Sequence, residues 1–145
     1  MFQNCRSLKE FTSDLKTLTS GTWMFQNCYS LTTFSADLSS LEDGEFMFDD
    51  CKLNTNSVKN IIDTIKTYED TSDRTITIGI DIYDDEQKSI FAEEVGYDSW
   101  DALNNAFSAK GWSVTWCFNG TESGATYDLR GRSDTPRKNY TKLVE

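Results

Sequence analysis

The hydrophobic positions of the first third of the chain recur with a period of 23 residues. Residues 1–23 align without a gap on residues 24–46, and Met1, Met24 and Met47 open three successive units. Each complete unit repeats Met-Phe, Cys, Leu, Phe, Leu, Leu and Gly, while mostly polar residues vary between these positions. Recurring apolar positions at a period of about 20–29 residues are typical of leucine-rich repeats, whose units stack to build a continuous core.

Each unit is expected to contain one short strand. The Leu-x-x-Phe segments at 8–11 and 31–34 occupy equivalent positions of the two units, so we expect them to pair side by side. Gly21 and Gly44 suit turns that need a positive φ, which glycine adopts without steric cost.

After Cys51 the pattern changes from the repeat to alternating helices and strands. Apolar residues at helical spacing and strict alternation predict a helix, a strand, two helices and a strand, at about 55–69, 75–80, 84–95, 99–110 and 112–118. Thr55 or Ser57 is expected to cap the first helix. Strands joined through a helical crossover are parallel, and we expect these two to extend the sheet that the repeats begin.

The predicted fold is therefore α/β: a short leucine-rich-repeat solenoid with a parallel sheet and a C-terminal α/β cap. The repeats occupy residues 1–53, and the capping region that continues the solenoid sheet occupies 54–118. Residues 119–145 are polar and aperiodic, which predicts a tail or a connection. The alternative for this segment is a hairpin that turns at Asn119-Gly120.

The unit M-F-x-x-C-x-S-L-x-x-F resembles the BspA-like leucine-rich repeats of bacterial surface proteins, which also occur in gut bacteria and their phages. The resemblance covers residues 1–53 and extends to the rest of the chain only as an architecture. It implies a fold and a tendency toward adhesion or host recognition, but it implies no particular ligand.

Composition and charge narrow the partners. The chain is 37% hydrophobic and 13% aromatic, which favours a globular body over a disordered acidic chain. Residues 1–118 carry nine Lys and Arg against twenty Asp and Glu, whereas residues 119–145 carry five against four. An acidic body should repel nucleic acid and anionic membranes. We expect no membrane insertion, because no apolar stretch approaches a membrane span and the first residues do not resemble a signal peptide.

The residue types argue against common catalytic and metal centres. Cys5, Cys28 and Cys51 share one repeat position, which favours buried small side chains over a disulfide or metal framework. The chain has no His, so Ser-His and Cys-His nucleophiles are not available. We expect no enzyme, metal or cofactor. A small glycosidase that uses two of the twenty-four acidic side chains is a minor alternative.

Two further segments each allow a functional and a structural interpretation. The acids at 81–86 supply oxygen ligands for calcium, but a helix N-terminus stabilised by carboxylates is the favoured interpretation. The tryptophans of 112–118 suggest a carbohydrate surface, but the large residues alternate regularly, which favours a core face.

The candidate binding surface is the polar side of the predicted sheet. Repeat arrays commonly bind partners on such extended faces. The polar positions of the first unit match those of the second, and two threonines of the later strands are expected to continue the row: Lys9, Glu10, Thr12, Thr32, Thr33, Ser35, Thr77 and Thr115.

These observations favour a non-catalytic recognition or adhesion module that binds a protein or glycan through the repeat sheet. Its expected location is a bacterial cell surface, the extracellular space or a phage virion, and unpaired thiols fit the phage protein better because they suggest a reducing environment. The alternative is a structural domain that decorates or joins a virion or surface complex.

The first unit generates a prediction about self-association. A first rung with no cap exposes Phe2, Leu8 and Phe11 and an unpaired sheet edge, which invites pairing with another chain. We expect this rung either to belong to a longer repeat array or to be covered by a partner, for which a second copy of the chain is one candidate. Light scattering on the chain should show species larger than a monomer, and added N-terminal units should raise stability and reduce association. A strict monomer whose first-rung amides resist exchange would contradict this expectation.

Overall fold

The computed structural model describes residues 2–70 and 72–118. These residues form a mixed α/β fold of three helices and small parallel sheets, which confirms the predicted class. The elements are β1 (Glu10–Phe11), β2 (Thr33–Phe34), β3 (Gly44–Phe48), α1 (Thr55–Thr64), β4 (Thr75–Ile80), α2 (Asp85–Val95), α3 (Trp100–Ser108) and β5 (Ser113–Phe118). One sheet is β1–β2 and the other is β3–β4–β5. The predicted tail and the alternative hairpin at Asn119-Gly120 both lie outside the described residues.

Backbone hydrogen bonds hold successive units side by side. The Phe2 amide donates to the Met24 carbonyl and the Phe25 amide donates to the Met47 carbonyl, both at 2.9 Å. β1 and β2 pair in parallel in the same register, with Phe11 opposite Phe34. The same hydrogen bond therefore recurs between each 23-residue unit and the next.

Phenylalanine rings fill the space between the units. Phe2, Phe25 and Phe48 stack with centroids 5.5 Å apart and planes within 5° of parallel. Phe11 meets Phe25 edge-on at 5.0 Å, and Phe34 meets Phe48 edge-on at 4.9 Å. Each such aromatic pair adds about 0.5–1.5 kcal/mol beyond the area that it buries. The recurring phenylalanines therefore link each unit to the next.

The recurring cysteines also face inward. Cys28 and Cys51 are fully buried and Cys5 is half-buried, which confirms the expected position. In addition, the Cys28 thiol donates to the Phe2 carbonyl at 3.1 Å, and the Cys51 thiol donates to the Phe25 carbonyl at 3.2 Å. Burial raises the pKa of the Cys51 thiol well above its usual range. The cysteine position thus contributes a hydrogen bond between units as well as apolar volume.

The predicted single sheet is wrong, because a helix replaces the third strand beside β2. Asn54, and neither Thr55 nor Ser57, caps α1: its side chain accepts from the Ser57 amide at 2.9 Å. The Asn54 amide donates to the Thr32 carbonyl, and the Phe34 amide donates to the Ser57 hydroxyl. The β1–β2 sheet therefore ends against α1, and β4 and β5 extend β3 instead.

The α/β region otherwise follows the sequence pattern closely. β4 matches the predicted range, and α2, α3 and β5 lie within theirs. Asp84 caps α2, with Asp85 and Glu86 in its first turn, so these acids occupy a helix N-terminus as expected. β4 pairs in parallel with β5, and Trp112 and Trp116 are buried, which favours the core interpretation of this strand.

Two expectations about glycines and strand faces are wrong. Gly21 and Gly44 do not have positive φ; instead, a Cβ atom on Gly21 would lie 2.5 Å from the Met47 sulfur, and one on Gly44 would lie 2.9 Å from Ile76 Cγ1. β4 is buried on both faces over most of its length, because backbone that follows β3 covers its second face: a Cβ atom on Gly79 would lie 2.4 Å from the Cys51 carbonyl oxygen. These glycines permit close packing.

The cysteine positions predict an order of chemical reactivity. Iodoacetamide reacts with the thiolate, so buried Cys51, whose pKa is raised, should be alkylated far more slowly than half-buried Cys5. Mass spectrometry of the folded chain at pH 8.5 should find Cys5 modified first and Cys51 modified only as the protein unfolds. In guanidinium, the control, both should react at similar rates; equal rates in the folded chain would contradict the inward assignment of Cys51.

Candidate functional site

The structure divides the predicted polar row between the two sheets. Six of its residues lie on or beside β1 and β2, where Thr33 is half-buried and the others are exposed: Lys9, Glu10, Thr12, Thr32 and Ser35. Thr77 and Thr115 lie opposite each other on β4 and β5 of the second sheet. The predicted continuous row is therefore wrong, because α1 replaces the strand that would have joined its two parts.

Thr77 also differs from its expected exposure. Only 3% of this residue is accessible, and its hydroxyl oxygen accepts from the Phe46 amide at 2.9 Å. This hydrogen bond replaces a regular backbone contact where the β3–β4 register shifts between Gly44 and Phe48. Thr77 thus holds β3 in place while its remaining surface faces a cleft.

The cleft brings the two predicted threonines together with residues from β3. It has a volume of about 440 Å³ and is lined by Glu45, Phe46, Thr75, Thr77 and Thr115. Glu45 is exposed, whereas Thr75 and Thr115 are half-buried. A volume of this size falls within the range of small-ligand sites, about 300–1,000 Å³. The cleft therefore offers an aromatic ring, hydroxyl groups and a carboxylate to one ligand.

Phe46, a half-buried residue of the cleft lining, pairs with the exposed Trp23. Trp23 and Phe46 stack with centroids 4.4 Å apart and planes inclined by 17°, and Trp23 is 43% exposed. The sequence prediction did not include either residue. Their signal was nevertheless present, since both are aromatic residues at the last position of a unit, one period apart.

The backbone at this aromatic pair lies in the left-handed region. Trp23 has φ of 64° and Phe46 has φ of 59°. Asn4, Asn27 and Asp50 share positive φ at another repeat position, but Asn and Asp tolerate this region, whereas bulky residues rarely adopt it. The cost is about 1–2 kcal/mol per residue, so aromatic side chains stand where glycine or asparagine would suit the backbone better.

One group of potential metal ligands occurs among residues 2–70 and 72–118. Ligand atoms of Asp49, Asp50 and Cys117 lie within 4.8 Å of one another, and these residue types are known zinc ligands. The Cys117 thiol lies 3.4 Å from Asp50 Oδ1, and the Gln26 amide donates to Asp49 at 3.3 Å. These hydrogen bonds connect the group to the second repeat unit and to β5. The sequence signal was the change from MFQNC to MFDDC in the third unit.

A second cleft, of about 220 Å³, lies beside Arg74. Arg74 is paired with Asp70 at 2.7 Å and stacks over the Tyr68 ring at 3.5 Å. The hydrogen bond from Arg74 lowers the pKa of the Asp70 carboxyl. Arg74 is therefore already paired within the protein, which makes this cleft a weaker candidate.

No protein-family model matches the chain, and searches of curated proteins and of solved structures found no significant similarity. In the part of the chain that the structure describes, every helix is too short or too polar to cross a membrane.

The left-handed backbone of Trp23 predicts an unusual tolerance to glycine. Trp23→Gly loses the area that the ring buries and a ring contact of about 0.5–1.5 kcal/mol beyond that area, but it relieves about 1–2 kcal/mol of backbone strain. Urea unfolding should therefore show a smaller loss of stability than the lost contacts alone would cause. The control is Tyr29→Gly: Tyr29 is 42% exposed and does not have positive φ, so it gains no such relief and this variant should be the less stable. The reverse order would contradict the strain at Trp23.

Proposed function

We propose that this chain is a non-catalytic recognition or adhesion module of a bacterial surface or phage virion protein, built as a short leucine-rich-repeat solenoid with an α/β cap. The module binds a protein or glycan ligand through its sheet faces. It belongs to the class that the BspA-like resemblance of residues 1–53 indicates.

The solenoid architecture is supported by the contacts between equivalent positions. Parallel backbone hydrogen bonds, stacked phenylalanines and cysteine hydrogen bonds all join residues about one unit apart. Stacked units present equivalent surface positions in rows, and such rows are the usual binding surfaces of repeat proteins.

The observation that carries the function is the cleft beside Phe46. It lies on the sheet that runs from the repeats into the cap, and its lining combines an aromatic residue with threonines and a glutamate. A pocket with an apolar wall and a few placed polar groups is the general form of a binding site. The exposed polar residues of β1 and β2 supply a second row that a large ligand contacts at the same time.

A binding screen with charge-reversal variants tests the proposal. The folded full chain is immobilised and exposed to arrays of bacterial and host-surface glycans and proteins, where we expect saturable binding. Glu45→Lys at the cleft should weaken binding by at least tenfold. Glu10→Lys, on the other sheet, should weaken only a ligand large enough to span both faces.

The matched control is Glu93→Lys, the same charge reversal on the exposed surface of α2. It should leave binding within about twofold of the parent. Failure of the parent chain to bind any arrayed ligand, or loss of binding in the Glu93 variant alone, would overturn the sheet-face proposal.

A further inference from the structure

A ladder of side chains crosses the outer surface of the second sheet. The Trp23 amide donates to the Glu45 carbonyl at 3.2 Å, the Phe46 amide donates to the Thr77 hydroxyl at 2.9 Å, and Thr77 pairs with Thr115. Trp23, Phe46, Thr77 and Thr115 thus occupy successive steps of one row.

The aromatic residues of this row end at Phe46, and the cleft begins beside it. The centroid separation of Trp23 and Phe46 is 4.4 Å, close to the strand spacing of about 4.8 Å, so a third ring would fit the next step. Threonine stands at that step instead, and a space of about 440 Å³ remains. Trp23 stacks on the Phe46 ring, and Phe46 lines this space.

The lining selects the chemistry of the occupant. Phe46 offers a flat apolar surface, while Thr75, Thr115 and Glu45 offer hydrogen-bonding groups. A pyranose ring has the complementary form, because it combines an apolar C–H face with hydroxyl groups around its edge. An aromatic side chain from a peptide would match the ring, but it would leave the hydroxyls and the carboxylate without hydrogen-bonding partners, which is costly in a desolvated contact.

The charge of the cleft further limits the occupant. Among the described residues, its lining contains the acidic Glu45 and no Lys or Arg, and residues 1–118 carry an excess of acids. An anionic sugar would therefore be repelled, since a like charge at short range is unfavourable. These features favour an uncharged sugar.

We infer that the cleft between Phe46 and Thr115 is a glycan subsite that binds an uncharged pyranoside, with the C–H face of the sugar on the Phe46 ring and its hydroxyls on Glu45, Thr75 and Thr115. This inference rests on the proposed recognition function and names its ligand class. The strained aromatic positions serve the site: Trp23 supports the ring of Phe46, and Phe46 contacts the sugar.

Saturation-transfer NMR with defined sugars tests this inference. The probes are the methyl glycosides of glucose, galactose, mannose and N-acetylglucosamine, together with cellobiose. Methyl glucuronide is the matched ligand control, because it differs from the glucoside by a carboxylate. We expect saturation transfer to at least one uncharged pyranoside and binding of methyl glucuronide at least tenfold weaker than binding of methyl glucoside.

Two variants connect the signal to the cleft. Phe46→Asn removes the ring but keeps a residue that tolerates positive φ, so the fold should persist, as an amide NMR spectrum checks; sugar binding should fall at least tenfold. Glu45→Gln should narrow the difference between glucoside and glucuronide. Thr67→Ala, at an exposed residue outside both the polar row and the cleft, is the control and should leave binding within twofold.

The outcomes separate this inference from the function on which it rests. If arrayed proteins or anionic glycans bind the chain but the uncharged sugars do not, the subsite is overturned and the recognition function stands. Binding of N-acetyl-tryptophanamide in place of the sugars, or unchanged sugar binding in the folded Phe46→Asn variant, also overturns the subsite. If the chain binds no arrayed ligand and none of the sugars, both proposals fail.

Discussion

The fold depends on keeping each 23-residue unit in register with the next, and two kinds of contact impose that register. Backbone amides fix the spacing, as where Phe25 donates to Met47, and the stacked rings of Phe2, Phe25 and Phe48 penalise any shift along the strand. The hydrogen bond from the Cys51 thiol to the Phe25 carbonyl reinforces these contacts between the second and third units. Because a one-residue slip would turn inward residues outward, these contacts reinforce one another. The surface rows and the cleft exist only as a consequence of this register.

The sequence predicted those parts of the fold that depend on local pattern. Helical spacing and alternation located α2, α3, β4 and β5, whose burial follows from their own residues. β3 was missed because the repeat boundary was drawn at Met47, inside the strand, and because positive φ at Phe46 interrupts its alternation. The division into two sheets was missed for a different reason. Several residues near the start of α1 were suitable caps. The helix begins after Asn54 because this residue also bonds to the second unit, and α1 then occupies the place of a third strand beside β2.

The candidate site was predictable only in part, because residue type indicates polarity whereas a cleft depends on neighbours. Thr77 and Thr115 were among the predicted residues and line the cleft, but the position of Thr77 depends on its hydrogen bond to the Phe46 amide, which spans 31 residues of sequence. Trp23 and Phe46 also recur one unit apart, but the prediction relied on the recurring inward-facing positions and did not include them. Asp49 and Asp50 were missed for a similar reason. They replace the Gln-Asn pairs of the earlier units, and they come close to Cys117 only because distant strands pair.

The same register has opposite consequences on the two sides of the second sheet. On the inner side, Phe48 is followed by Ile78 and Trp116, and all three are buried. A small residue at one of these steps would leave a cavity, and truncating a buried phenylalanine costs about 3–5 kcal/mol. On the outer side, Phe46 is followed by Thr77 and Thr115, and the gap costs little because water can fill it. A small residue in place of a ring is therefore tolerated only on the outer side, where it leaves the cleft beside Phe46. Because Trp23 already holds the Phe46 ring, a ligand of the proposed kind would restrict that ring at little further cost in conformational entropy.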